Sequence, residues 1–162
     1  MNKYQHFLDE GYAIYTDHNR LNIPWIHRFL SMSTYWAKDI PMETVQRSIE
    51  HSLCFGIFFY EQQVGFARVI TDRATFAYLA DVFVIDEHRG KGLSKWLMEN
   101  IHSHPELQGL RRWMLVTKDA QGLYQQFGWE PIPEVMMGRF MQIHQPSIYQ
   151  TGKASPENSN NQ

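Results

Sequence analysis

The chain has 162 residues and a hydrophobic fraction of 43%, values typical of one globular domain with a substantial core. Its formal net charge of −2 gives no indication of binding to nucleic acid or an anionic membrane, and no apolar run is long enough to span a membrane. The N-terminus lacks an apolar signal core, so we expect a cytoplasmic protein with neither nucleic-acid nor membrane partners. The single cysteine, Cys54, excludes an internal disulfide bond and is interpreted as a buried small side chain.

The N-terminal half is predicted to contain a strand, two helices and a hairpin. Residues 12–15 favour a short strand, and Asn22 is a suitable N-cap for the helix that follows. A second helix is predicted to begin near Pro41. Residues 53–60 and 64–71 are two strand-like runs separated by a polar turn, the pattern of a β-hairpin.

The most informative stretch is residues 78–97, in which an apolar strand, a glycine pair and a helix follow one another. Gly90 and Gly92 permit a tight turn, and the start of the helix adds free N–H groups and the positive end of its dipole. Three cations surround the same loop: Arg89, Lys91 and Lys95. The sequence therefore predicts a loop that binds a diphosphate.

Two common diphosphate-binding motifs do not fit this loop. The mononucleotide P-loop requires GxxxxGK[ST], which the loop lacks. The dinucleotide fingerprint GxGxxG fails at its third glycine, where Lys95 stands. It also expects an acidic residue about 20 positions further on, where the sequence reads Leu110-Arg111-Arg112.

The stretch resembles motif A of the GNAT superfamily of acetyl-CoA-dependent N-acetyltransferases, an apolar strand followed by [Q/R]-x-x-G-x-[G/A]. Residues 89–94, RGKGLS, fit this pattern except at the last position, which is Ser94. After a predicted strand at 113–116, the chain also resembles motif B, in which a short helix with A-x-x-[L/F]-Y precedes a strand opening with G-[F/W]. The matching residues are Ala120, Leu123, Tyr124, Gly128 and Trp129.

The resemblance implies an α/β fold of the GNAT type. Its central mixed sheet would have six to seven strands, with parallel strands four and five splayed apart, and about four flanking helices. The resemblance extends over about residues 12–143 and is specific for 80–129. We expect a single domain at 1–150 and, from its polar composition, a disordered tail at 151–162.

The resemblance also implies that acetyl-CoA is the cosubstrate. Its pantetheine arm would bond to the backbone of residues 82–84, and its pyrophosphate would bind the amides of residues 89–94. Asp119 stands where many members carry an asparagine that contacts pantetheine. The complete expected set is Val82, Phe83, Val84, Arg89, Gly90, Lys91, Gly92, Leu93, Ser94, Asp119 and Tyr124. No metal is expected, because His102 and His104 have no third ligand nearby and are interpreted as a solvated helix end.

Acetyl transfer to an amine requires a base for the amine, a donor for the oxyanion and an acid for the leaving thiolate. The resemblance implies that Tyr124 is the acid, since a phenol with a pKa of about 10 retains its proton at neutral pH. The alternative is a half-buried aromatic residue of a helix. Asp81 is a candidate base, directly or through water, or else a solvated strand-edge carboxylate. Trp36 and His27 are candidates for the acceptor pocket, although Trp36 also fits a core position.

Two classes of function remain open. The first is an N-acetyltransferase that acts on a primary amine of a small metabolite or peptide by direct attack in a ternary complex. The second is a non-catalytic acyl-CoA-binding regulatory module that keeps the fold without turnover. A homodimer is compatible with either class.

Overall fold

One mixed sheet organises residues 2–150, the part of the chain that the computed structural model describes. Its strands are β1 (Tyr12–Tyr15), β2 (Leu53–Phe59), β3 (Gln62–Thr71), β4 (Phe76–Val84) and β5 (Arg112–Met114). They lie in the order β1-β2-β3-β4-β5. The pairs β1–β2, β2–β3 and β3–β4 are antiparallel, whereas β5 runs parallel to β4. The predicted hairpin of β2 and β3 and the parallel pair of strands four and five are confirmed.

Six α-helices accompany the sheet within the described residues. They are α1 (Gln5–Asp9), α2 (Ile23–Ser33), α3 (Met42–Glu50), α4 (Leu93–Ser103), α5 (Gln121–Gln125) and α6 (Glu134–Met137). The Asn22 side chain caps α2 by accepting a hydrogen bond from the N–H of Trp25 at 3.1 Å, and α3 follows Pro41, as predicted. None of the helices in residues 2–150 is long and apolar enough to cross a membrane.

The helices cover both faces of the sheet and form two apolar clusters. On one face, α1 and α4 pack against the sheet through Phe7, Leu97 and Ile101, together with Tyr124 of α5. On the other face, α2 and α3 pack through a separate set of buried side chains, among them Ile26 and Val45. The two clusters hold the central strands between layers of helix.

Strand β4 contains one extra residue, which changes which side chains reach each face. Phe66 pairs with Phe83, but Arg68 pairs with Ala80, so a β-bulge lies at Asp81 and Val82. Asp81 has a positive φ of 54°. Because strand side chains alternate, the bulge moves Phe83 to the face covered by α2 and α3. There its ring stacks on Phe29 at 3.9 Å.

The sheet has five strands within residues 2–150 rather than the predicted six to seven. The strand expected to open at Gly128 and Trp129 does not form, so that part of the prediction was wrong. Pro131 and Pro133 follow directly, and each removes an N–H donor that a ladder would need. Strand β5 is also shorter than expected, and the predicted disordered tail at 151–162 lies outside the described residues.

Candidate functional site

The two parallel strands separate after a short contact. Strand β5 pairs with β4 only from Phe76 to Tyr78, while β4 continues to Val84. Within the described residues, the edge of β4 at 79–84 that faces β5 therefore has no strand partner. An extended ligand with amide groups can pair with such an edge as an added strand would.

The glycine loop begins immediately beyond the end of β4. A 3-10 turn at Asp86–His88 leads into it, and Nδ1 of His88 is 2.8 Å from the hydroxyl of Tyr12 in β1. Gly90 and Gly92 have φ values of 74° and 93°, a region that side chains disfavour. The glycine pair is therefore a local requirement of the turn that starts α4.

The loop leaves a row of backbone donors without partners. Among residues 2–150, no carbonyl or side chain accepts a hydrogen bond from the N–H groups of residues 90–95. The positive end of α4 lies in the same row, because Gly92 is its N-cap. Unpaired N–H groups at a helix start are the donors that a phosphate oxygen requires.

Two pockets flank this loop. The smaller, of about 170 Å³, is bounded by the end of β4, the loop and Leu123 of α5. The larger, of about 440 Å³, lies between α1, the start of α4 and residues 126–127. Three lysines and one acidic residue line the larger pocket: Lys3, Lys91, Lys95 and Glu99. The excess of positive charge favours an anion on that side of the loop.

Arg89 is engaged with the chain itself. Its Nε donates to the carbonyl of Val84 at 2.8 Å, and its Nη1 is 2.7 Å from Oδ1 of Asp86. The side chain thus ties the loop to the end of β4. Its predicted contact with phosphate stays a prediction, and the structure adds this role in holding the loop.

Tyr124 lies in α5 with its side chain largely buried. Burial raises the pKa of its hydroxyl above the usual value, and the neighbouring Tyr35 acts in the same direction. A raised pKa keeps the phenol protonated at neutral pH, as a proton donor requires. The ring of Trp129 lies 5.9 Å away and forms one wall of its surroundings.

Asp81 and Trp36, which the sequence suggested separately, are joined by a hydrogen bond. The indole Nε1 of Trp36 donates to Oδ1 of Asp81 at 3.0 Å. The other oxygen, Oδ2, lies 2.8 Å from Nε of Arg68. The Asp81 side chain is only 11% exposed, so it is not a solvated strand-edge carboxylate.

Sequence reasoning missed Arg68. Its Nη1 also donates to Oγ of Ser52 at 3.2 Å, so the guanidinium bridges β4 and the residue before β2. A signal was present, because alternation along β3 places Arg68 on the same face as the apolar Phe66. A charge at such a position needs a partner of opposite charge.

The connector between α2 and α3, residues 34–41, lies near the open end of the two parallel strands. Trp36 reaches Asp81 in β4, and the Tyr35 ring lies 5.7 Å from Nζ of Lys118 in the loop after β5. Nε2 of His27 is 2.9 Å from the carbonyl of Ile40 and fixes the connector to α2. The roles of Trp36 and His27 toward an acceptor stay predictions.

Asp119 is exposed in the loop after β5, and its contact with pantetheine is likewise a prediction.

The histidine pair at the end of α4 differs from its interpretation as a solvated terminus. His102 is half-buried, and its Nε2 accepts a hydrogen bond from Nε1 of Trp129 at 3.0 Å. Nδ1 of His104 accepts from the N–H of Glu106 at 3.3 Å. The interpretation was wrong for His102, because the aromatic side chains that bury it come from segments distant in sequence.

Comparisons with known proteins agree with this geometry. A sequence model of the acetyltransferase (GNAT) domain matches residues 50–131. A protein of Gibberella zeae named as a candidate acetyltransferase is 32% identical over 144 residues, which cover 75% of this chain and 80% of the relative. The chain therefore belongs to the GNAT acetyltransferase family, and the resemblance drawn from its two motifs is confirmed.

Solved structures show the same fold. A GNAT-family structure from Xanthomonas campestris, described as a candidate acetyltransferase, is 54% identical and superposes with a TM-score of 0.82 over 85% of this chain and 96% of that chain. A structure from Clostridium acetobutylicum, described as a candidate acetyltransferase with acetyl-CoA, has 12% identity and a TM-score of 0.59. It covers 82% of this chain and 94% of that chain, and at this identity the likeness shows the fold alone.

The ion pair of Arg68 and Asp81 generates a prediction about stability. Both side chains are nearly buried, so Arg68→Met leaves a carboxylate without its counter-ion. We expect a loss of about 3 kcal/mol in the free energy of unfolding, measured by urea denaturation. The double variant Arg68→Met/Asp81→Asn should recover part of that loss, since no unpaired charge then remains.

Arg73→Met is the matched control. Arg73 pairs with Glu106, but both side chains are about half exposed, so water replaces the lost partner at little cost. Equal destabilisation by the two single variants would contradict the buried ion pair as the cause.

Proposed function

We propose that the protein is an N-acetyltransferase that transfers the acetyl group of acetyl-CoA to a primary amine. The observation that carries the proposal is the row of N–H groups at residues 90–95, which have no partner among residues 2–150 and lie directly beside the open edge of β4. One element offers donors for a diphosphate, and the other offers a strand edge for an amide-containing arm. The presence of acetyl-CoA in the Clostridium acetobutylicum structure of similar fold supports the same ligand.

The geometry suggests how acetyl-CoA would lie. Its pyrophosphate would bind the N–H groups of the loop, with Ser94 and Lys95 at the start of α4. Its pantetheine arm would pass through the smaller pocket, between Val84 and Leu123, and pair with the edge of β4 at residues 82–84. The thioester would then reach the bulge at Asp81.

Direct attack in a ternary complex needs few protein groups. The amine nitrogen attacks the carbonyl carbon, a C–N bond forms, and the C–S bond breaks with its electron pair on sulfur. Tyr124 would donate a proton to that thiolate. Each oxygen of Asp81 keeps a second lone pair beside its hydrogen bond, so we propose that it takes the amine proton through a water molecule.

The connector would supply the acceptor pocket. Aromatic rings of Tyr35 and Trp36 are exposed there, and such rings attract ammonium groups. The acidic residues next to them in sequence are only Asp39 and Glu43, and Asp81, which bonds to Trp36, is already paired with Arg68. This low negative charge favours a small amine or a peptide-like acceptor over a polyamine. His27 would contribute indirectly, because it holds the end of the connector at Ile40.

The decisive measurement is release of free CoA thiol from acetyl-CoA in the presence of a panel of primary amines. Amine-dependent release identifies an N-acetyltransferase. Tight binding of acetyl-CoA without release for any amine or peptide in the panel would instead favour the non-catalytic acyl-CoA-binding module.

The first prediction concerns the loop. Gly92→Asp places a carboxylate against the pyrophosphate at a position with φ of 93°; among the described residues beyond its chain neighbours, an added Cβ there contacts only the Phe7 ring, at 3.7 Å. Acetyl-CoA binding, measured by calorimetry, should be lost. The control is Gly109→Asp, which imposes a similar backbone cost at φ of 72° in open space beside the start of β5, at the other end of the sheet. If both folded variants bind acetyl-CoA like the parent protein, the loop is not the diphosphate site.

The second prediction concerns the proton donor. Tyr124→Phe keeps the buried ring and its packing on Trp129 but removes the hydroxyl. We expect kcat to fall by about 100-fold while the KM for acetyl-CoA changes little. An unchanged kcat, measured where chemistry limits turnover, would return Tyr124 to a packing role.

The third prediction concerns the acceptor. Trp36→Ala should raise the KM for the amine about fivefold or more, in line with the loss of one ammonium–ring contact, and leave the KM for acetyl-CoA nearly unchanged. Trp36→Phe keeps a ring but loses the hydrogen bond to Asp81, so it separates the two contributions. A raised KM for acetyl-CoA with an unaffected amine would place the acceptor elsewhere.

A further inference from the structure

The end of α4 is held to the turn after α5 by an aromatic cluster centred on His102. Trp113 of β5 lies 5.3 Å from the His102 ring, and Phe127 and Trp129 lie 5.7 Å and 5.9 Å from it. One directional bond joins this cluster, from Nε1 of Trp129 to Nε2 of His102 at 3.0 Å. Helix, strand and turn therefore meet at one histidine.

The direction of that bond determines the state of the ring. An indole nitrogen can only donate, so Nε2 of His102 must be the unprotonated acceptor and the proton resides on Nδ1. Burial lowers the pKa of His102, which favours this neutral form. A phenyl ring at this position would fill similar space but offer no acceptor.

Trp129 connects this cluster to Tyr124. Its ring lies 5.9 Å from the Tyr124 ring at an interplanar angle of 57°, and the backbone N–H of Trp129 donates to the backbone carbonyl of Tyr124 at 3.3 Å. Helix α5 has only five residues, so the orientation of the Tyr124 side chain depends mainly on packing from outside the helix, including the Trp129 ring. Whatever orients the Trp129 indole also orients one wall of the Tyr124 site.

We propose that His102 is a positioning residue for acetyl transfer: by accepting a hydrogen bond from the indole N–H of Trp129, it fixes the wall against which the Tyr124 ring lies. The inference rests on the proposed function, in which Tyr124 protonates the leaving thiolate. Proton transfer requires the hydroxyl within hydrogen-bond reach of the sulfur, and a displacement of about 1 Å can cost up to about 100-fold in rate. His102 acts through Trp129 and does not itself touch the reacting atoms.

The experiment compares His102→Phe, which keeps a ring without an acceptor, with His102→Gln, whose amide oxygen can accept a hydrogen bond from the indole N–H. We expect His102→Phe to lower kcat about tenfold, with the KM for acetyl-CoA within about twofold of the parent value. His102→Gln should recover most of the lost kcat. The matched control is His104→Phe, two residues along the same helix end, whose ring lies edge-on to Phe55 and should leave kcat unchanged.

The same variants are then measured in a Tyr124→Phe background. If His102 acts through the Tyr124 hydroxyl, His102→Phe should cause no further loss of kcat there. An equal fold-loss of kcat in both backgrounds would overturn the inference and indicate general destabilisation. A parent-like kcat in His102→Phe, while Tyr124→Phe is impaired, would also overturn the inference, because Tyr124 would then not depend on His102. If Tyr124→Phe alone keeps full kcat, the proposed role of Tyr124 fails first. If His102→Phe does not fold, Trp129→Phe removes the same bond from its other partner, and the same outcomes apply.

Discussion

The extra residue in β4 at Asp81 is the constraint on which the site depends. A β-bulge bends its strand and increases the local twist, and here it lies within the segment of β4, residues 79–84, that continues beyond the three residues paired with β5. It also inverts the alternation of side chains, so that Phe83 packs against α2 and Val84 moves to the face of α4. One inserted residue thus lies on the open strand edge and lets consecutive side chains beyond it reach the cores on both faces.

The protein uses backbone groups and charged side chains for different purposes around this edge. Within the described part of the chain, the loop after β4 keeps the N–H donors of residues 90–95 free, whereas its arginine, Arg89, is tied to Val84 and Asp86. Rigid donors at a helix start need no ordering when an anion arrives, unlike the flexible side chains of the surrounding lysines. Arg68, by contrast, is used to neutralise Asp81 in the interior. That pair, with the hydrogen bond from Trp36, ties the connector to the bulge.

The parts of the structure that sequence reasoning missed depend on contacts between distant segments. Tryptophan is a residue type that strands favour, but next to Trp129 the residues Pro131 and Pro133 lack the N–H donors that strand pairing requires. The indole of Trp129 instead donates a hydrogen bond to His102. Arg68 and Asp81 are 13 positions apart along the chain, and nothing local shows that they would meet. The first helix, α1, is also absent from the predicted elements, because five residues that pack through Phe7 carry too short a pattern.

The sequence by itself determined the family, the order of the main elements and the glycine loop before α4. These features rest on local chemistry: Gly90 and Gly92 are required by positive φ, Asn22 caps its helix, and strand and helix periods need only neighbouring residues. Only the tertiary structure decided the bulge at Asp81, the number of strands in the described residues and the contacts of Trp129 with His102 and Tyr124. Those features follow from the register of strand pairing and from packing across the sheet. Both depend on contacts between segments that are far apart in the chain.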